Sequence, residues 1–419
     1  MYKRINPVDG VNLTGVFSDK HKTNLLLVSF ILPLNSLNAA SLNLISKVLT
    51  GGTSSHSDFR SLAIACEENY SLSLDAFTHK KGESLLLSFS MSALKNKYSL
   101  YGEDIFREGL KLFSEIIFSP FMPEGVFFGD YVNREKESVK ELILSLVNNK
   151  PAYALRQAVK LMCENEPYAI PSYGDLETLE SLDNIKLTEI YKSLISSAPV
   201  EIVFTGEYDT DELSGLINSQ LPFSPRKYIL PEVSRTEKAE IVKTFTEKAD
   251  ASQSTLVLGF RTGDIISDKN YAAFTLFNEV FSQSPISKLF MNVRERLSLC
   301  YYCNSLSDRI KGVMTVSAGI DRESFEIAKN AILSELEDIK RGKITEDEFH
   351  SALRSALSGY RELYDSQTSV CTYYLSRALS GNIATPEEEM KKISSVRVED
   401  ISAIAKNITL DTVFLLEGN

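Results

Sequence analysis

The sequence predicts an α+β protein of two homologous domains, each a mostly antiparallel sheet packed with helices, joined by a linker in a clam-like arrangement. Three observations predict it. The order strand, helix, helix, hairpin, helix, helix occurs twice, about 230 residues apart, as in a duplicated unit. A proline-containing stretch lies between the copies. The length of 419 residues suits two or more domains at roughly 100–200 residues each.

The elements follow in order. Residues 25–32 (LLLVSFIL) form an apolar run that reads as a buried strand. Residues 38–49 place Leu42, Ile45, Val48 and Leu49 at helical spacing, and Thr50-Gly51-Gly52-Thr53 ends that helix. A second helix spans 59–70. Strands at 71–77 and 84–92 form a hairpin through a turn at 78–82, and helices follow near 101–118 and 124–147. The second copy has a strand at 255–260, helices at 269–280 and 287–297, and strands at 300–306 and 312–320 around a turn at 307–311. Helices near 323–339 and 345–363 complete it. Pro222, Pro225 and Pro231 sit among few periodic apolar positions, which marks a linker. The expected domains are 1–220 and 241–419, with 221–240 as the linker.

Hydrophobic residues make up 43% and charged residues 24%, so long disordered tracts are not expected. A formal net charge of -11 repels phosphates and argues against nucleic-acid binding. Cys66, Cys163, Cys300, Cys303 and Cys371 are odd in number and scattered, which points to a reducing, cytoplasmic setting. The apolar run from Leu25 to Leu37 is too short to span a bilayer and lies too far inside the chain for a signal peptide, so no membrane association is expected.

Metal chemistry needs converging ligands, yet only His21, His56, His79 and His350 are available. No two lie within a helical turn, so H-E-x-x-H and H-x-x-E-H are both absent. His56, in a loop with turn chemistry, would need ligands from elsewhere, such as Glu141. Cys300-Tyr301-Tyr302-Cys303 fits C-x-x-C, but on a strand residues three apart are expected on opposite faces. Neither a phosphate loop nor a G-x-S-x-G elbow occurs.

The helix 38–49 followed by Gly52-Thr53 resembles the first motif of the pitrilysin/insulinase-like inverted zincins, which include the mitochondrial-processing-type peptidases. There H-x-x-E-H on a helix precedes Gly-Thr. Aligned on Gly-Thr, the sequence has Asn43 and Lys47 at the two ligand histidines and Ser46 at the catalytic glutamate. An ammonium has no lone pair for a metal at neutral pH. An amide is a poor zinc ligand, and a hydroxyl cannot take a proton from zinc-bound water as a carboxylate does. Residues 134–142 resemble the helix with the third ligand, with Glu141 as its remnant, and Asn148-Asn149-Lys150-Pro151 resembles the break after it. Residues 293–302 resemble the family's V-R-E-K-x-G-L-A-Y segment, which assigns Arg294 and Tyr301 to substrate binding and transition-state support.

A lost zinc motif with a retained Arg/Tyr pair resembles the zinc-less bacterial partner encoded beside an active family peptidase, the type linked to elongation factor P modification. The resemblance implies no cofactor in this chain, zinc only in an active zinc peptidase partner, and a peptide or unfolded protein as substrate. A homodimer remains an alternative assembly. Two other functions stay open: a self-sufficient zinc peptidase with an atypical site from His56 and Glu141, and a structural scaffold subunit.

Overall fold

The apolar runs at 25–32 and 255–260 lie inside sheets that are covered on both faces. Leu26, Val28 and Phe30 enter one core and Leu25, Leu27 and Ile31 another. In the second sheet Leu256 and Leu258 face one core and Val257 the other. Strands buried on both faces need no polar alternation.

The computed structural model describes residues 2–263, 265 and 267–419. One sheet comprises β1 (Tyr2–Val8), β2 (Val11–Phe17), β3 (Thr23–Pro33), β4 (Ser73–Lys81), β5 (Ser84–Leu94) and β6 (Val200–Gly206). Its order is β1-β2-β6-β3-β5-β4. The other comprises β7 (Lys243–Lys248), β8 (Ser254–Arg261), β9 (Cys300–Asp308), β10 (Val313–Ile320) and β11 (Thr409–Glu417), in the order β7-β11-β8-β10-β9. Five strands of the first sheet, β2-β6-β3-β5-β4, match the second sheet strand for strand. Each has a single parallel pair, β2 with β6 and β7 with β11, among antiparallel neighbours.

The chain forms two compact units, and neither is one continuous stretch. The first comprises Met1–Leu144, Ile170–Glu232 and Tyr364–Ile383. The second comprises Ser145–Ala169, Val233–Leu363 and Ala384–Asn419. In the first unit α1 (Ser36–Leu49), α2 (Phe59–Glu68), α3 (Ile105–Phe118) and α4 (Gly129–Ser145) follow the predicted order. The opposite face of this sheet is covered by the helix Gln367–Leu379, whose Val370, Cys371, Tyr374 and Leu375 pack on Val16, Leu27 and Val203. In the second unit α5 (Lys150–Met162) covers one sheet face. Ala154 and Ala158 meet Val257, Phe414 and Leu416. Gly259 lets α5 lie close, because a Cβ there would stand 2.7 Å from the Met162 sulfur.

The segment 148–151 is a helix start. The Asn149 side chain accepts from the Ala152 N–H at 3.1 Å, and Pro151 sits in the first turn, where no intrahelical N–H bond is lost. Residues 222–240 are irregular, as a linker should be. They are not all loose, however: Arg226 is buried and donates to the carbonyls of Ile195 and Ala198.

The first hairpin departs from expectation. Residues 78–81 are strand, and the turn is only Gly82-Glu83, between paired Lys81 and Ser84. Gly82 has φ +56°, which such tight turns demand and a β-carbon disfavours. His79 is therefore held in β4, stacked on Phe77. Burial, with the charge of Lys81, pushes its pKa down to about 4. A neutral native imidazole binds fewer protons than the unfolded one between its unperturbed pKa and 4. Its stabilising contribution is thus complete above the unperturbed value and is lost as pH falls toward 4, by up to about 3 kcal/mol. We expect the urea midpoint to fall between pH 7 and pH 5 by more in the wild type than in His79→Gln; equal falls would refute this.

Candidate functional site

The helix that matters most is α1. Asn35 caps it, accepting from the Asn38 N–H at 2.8 Å. It packs on β4 and β5, and ten of its side chains are buried. Asn43 and Ser46 are among them, and Lys47 is half-buried. The Ser46 hydroxyl donates back to the Asn43 carbonyl at 2.8 Å, and no hydrogen bond reaches the buried Asn43 Nδ2. The three residues at the motif positions thus present an amide, a hydroxyl committed to its own helix, and an ammonium. This set does not fit Zn²⁺, which takes imidazole, thiolate or carboxylate. Glu141 is exposed on α4.

Gly52-Thr53 has a structural reason to exist. A Cβ on Gly52 would lie 2.8 Å from the Ser57 backbone, so only glycine lets residues 53–57 fold back. The buried Thr53 hydroxyl donates to Glu115 at 2.8 Å, and His56 Nδ1 lies 3.4 Å from the same carboxylate. The loop that carries His56 is thereby tied to Glu115 of α3. Among the described residues, no group of three or more His, Cys, Asp or Glu side chains could hold a metal ion. The atypical site from His56 and Glu141 is not assembled among them.

Arg294 and Tyr301 belong to the second unit. Residues Leu289–Arg296, read as an ordinary helix in the sequence, form a π-helical turn packed beside β9. Widened turns of this kind often occur at functional positions. Arg294 is exposed, with its guanidinium 5.0 Å from the Phe290 ring centre and its Nε 3.6 Å from Glu295. Ser298 follows with φ +51°, a left-handed turn unusual for a residue with a side chain. The chain then enters β9, the edge of its sheet. Cys300 pairs with Ile320 and Tyr302 with Gly319, so Tyr301 is the extra residue of a bulge. It stands 66% exposed.

The bulge also overturns the expectation for the C-x-x-C pair. Cys300 and Cys303 lie opposite Ile320 and Ala318, which share one face of β10. Both cysteines consequently point into the same core. The sequence reading missed this because the rule of alternation fails by one residue at a bulge. Among the described residues, no helix is long and apolar enough to cross a membrane.

Comparison with known proteins agrees with this picture. The family described as peptidase M16 inactive domain matches residues 181–356. A Bacillus subtilis protein named probable inactive metalloprotease YmfF is 28% identical, over 98% of this chain and 96% of its own length. A crystal structure of a conserved protein from Enterococcus faecalis is 30% identical with a TM-score of 0.91, covering 100% of this chain and 99% of that one. A peptidase M16 inactive domain from Pseudomonas fluorescens shares the fold at 17% identity, with a TM-score of 0.80 over 100% of this chain and 98% of that one.

Proposed function

The chain belongs to the peptidase M16 inactive-domain family, and from that premise we propose that it is the non-catalytic subunit of a two-chain peptidase. It is a catalytically inactive peptidase-family protein. Its partner in this reading is a zinc-bearing member of the same family, which supplies the metal and the general base. This chain supplies Arg294 and Tyr301 as donors to the oxyanion that develops on the scissile carbonyl. The substrate is a peptide or unfolded protein, gripped by strand addition to an exposed sheet edge. The scattered cysteines support a cytoplasmic setting.

One observation carries the reading. The ligand positions hold Asn43, Ser46 and Lys47, while an arginine and a tyrosine seven residues apart remain exposed on a π-helical turn and a bulge. A protein that had shed peptidase chemistry altogether would have no need of the second feature.

Zinc analysis and complementation test it together. The chain alone, dialysed against trace zinc, should retain no stoichiometric metal. Mixed with a zinc-bearing family member from the same genome, it should form a stable complex that cleaves peptides neither chain cleaves alone. Stoichiometric zinc in the isolated chain, or cleavage by the zinc-bearing member unaffected by this chain, would sink the reading.

A further inference from the structure

We propose that Cys300 and Cys303 form a redox-responsive dithiol that closes to a disulfide on reaction with a low-molecular-weight disulfide, and that closure displaces Tyr301 from the bulge. The pair is made by the backbone. Two strand residues three apart reach one face only because the bulge inserts an extra residue between positions facing Ile320 and Ala318. The same extra residue supplies slack. Tyr301 is 66% exposed, so little packing holds the bulge in place when the two sulfurs draw together.

The two thiols are chemically unequal. Interaction with the Cys303 thiol, helped by the charge of Arg294, lowers the pKa of Cys300, while interaction with Cys300 and burial raise that of Cys303. By contrast, burial pushes Cys163 up to about 12 and Cys371 also upward. Cys300 is thus the nucleophile and Cys303 the resolving thiol. Each exposes only 8% of its surface. Cys300 opens an edge strand, separated from the exposed Leu297 and Ser298 only by the half-buried Leu299, so fraying of that strand end uncovers it.

The exchange balances in two steps. The Cys300 thiolate attacks one sulfur of the small disulfide, whose S–S bond breaks and releases a thiolate. Cys303 gives its proton to solvent and its sulfur attacks Cys300 Sγ, expelling the second small thiolate. The protein loses two electrons and two protons, and the small disulfide becomes two thiols. In a reducing compartment the pair rests as the dithiol.

Peptide mapping of the full chain with oxidised glutathione tests the bridge. Thiols are blocked with iodoacetamide before trypsin digestion. The peptide from Leu297 to Arg309 carries both cysteines. It should appear unalkylated and lighter by two hydrogens, and revert with dithiothreitol. Cys303→Ser should stop at a glutathione adduct on Cys300. Two alkylated cysteines in the wild type, or an adduct that never closes, would overturn the proposal without depending on any variant folding. The effect on Tyr301 rests on the proposed function. In the assembled pair, oxidation should lower peptide cleavage, and a Cys300→Ser/Cys303→Ser chain should be indifferent. A bridge that forms with cleavage unchanged overturns the displacement of Tyr301. A pair already inactive when reduced fails the subunit reading instead, whereas the mapping result stands apart from both.

Discussion

Arg294→Ala should lower peptide cleavage by the assembled pair about 10²–10³-fold, the usual cost of removing one donor to a developing oxyanion. The folded chain should scarcely notice. Arg294 is exposed, and its neighbours are the Phe290 ring at 5.0 Å and Glu295 at 3.6 Å, both on its own turn. Surface substitutions of that kind stay within about 0.5 kcal/mol. Arg294→Lys keeps the charge and loses the planar fork, so it should recover part of the rate. The checks are the turnover of the pair and the melting temperature of the variant chain alone. Full activity in Arg294→Ala would make Arg294 a surface arginine and remove this chain from the chemistry. A melting temperature that collapses would instead mean that it holds the π-helical turn in shape.

The duplicated layout was legible because its signals are local. The apolar runs in β3 and β8, the helical spacing in α1, and the hairpins β4–β5 and β9–β10 are each read within a short continuous stretch of sequence. The strands that complete each sheet were not placed. β6 joins β2 in parallel from nearly the other end of the unit, and β11 joins β7 likewise, so no short-range pattern announces the pairing. The covering helices were equally silent. Ala154, Ala158 and Gly259 are small residues whose meaning appears only when α5 lies on β8.

At the site, legibility followed chemistry more than geometry. Asn43, Ser46 and Lys47 could be judged from their functional groups alone, and Gly52-Thr53 marked where to align them. The burial of Asn43 and Ser46, and the tie between His56 and Glu115, are set by tertiary packing that no local pattern announces. The shared face of Cys300 and Cys303 needed the β10 register, since a bulge carries no residue signature. One hint existed beforehand. Ser298 occupies the glycine position of the segment that residues 293–302 resemble, and it carries φ +51°. A position that calls for glycine just before a strand signals an irregular entry, and hence side chains out of strict alternation.

The largest stability effect is expected at Arg261, which is 2% exposed inside the second unit. Its Nε donates to Asp411 at 2.8 Å, and its Nη2 to the Met162 carbonyl at 2.7 Å, with Glu166 at 2.6 Å. Lys311 also pairs with Glu166. The guanidinium therefore closes the C-terminal end of α5 and balances two carboxylates that have left water. Arg261→Met fills much of the space but leaves Asp411 buried without its cation and the Met162 carbonyl without its donor. Removing one partner of such a buried network costs about 3–5 kcal/mol. At roughly 2–4 °C per kcal/mol for a unit of this size, the melting temperature should fall by roughly 10 °C. The pH dependence supplies a second readout. Burial pushes the Glu166 carboxyl up, but the hydrogen bonds from Arg261 and Lys311 outweigh it and hold its pKa below the ordinary value. The stabilisation it gives is complete above that ordinary value and is lost as pH falls through the lowered one. Arg261→Met should flatten this acid limb, because the first of the two hydrogen bonds is gone. Urea unfolding followed by circular dichroism from pH 7 downward reads both effects. A loss below about 1 kcal/mol with an unchanged acid limb would mean that apolar contacts alone hold α5 to its sheet. The charged cluster would then be an ornament of the fold, not its clasp.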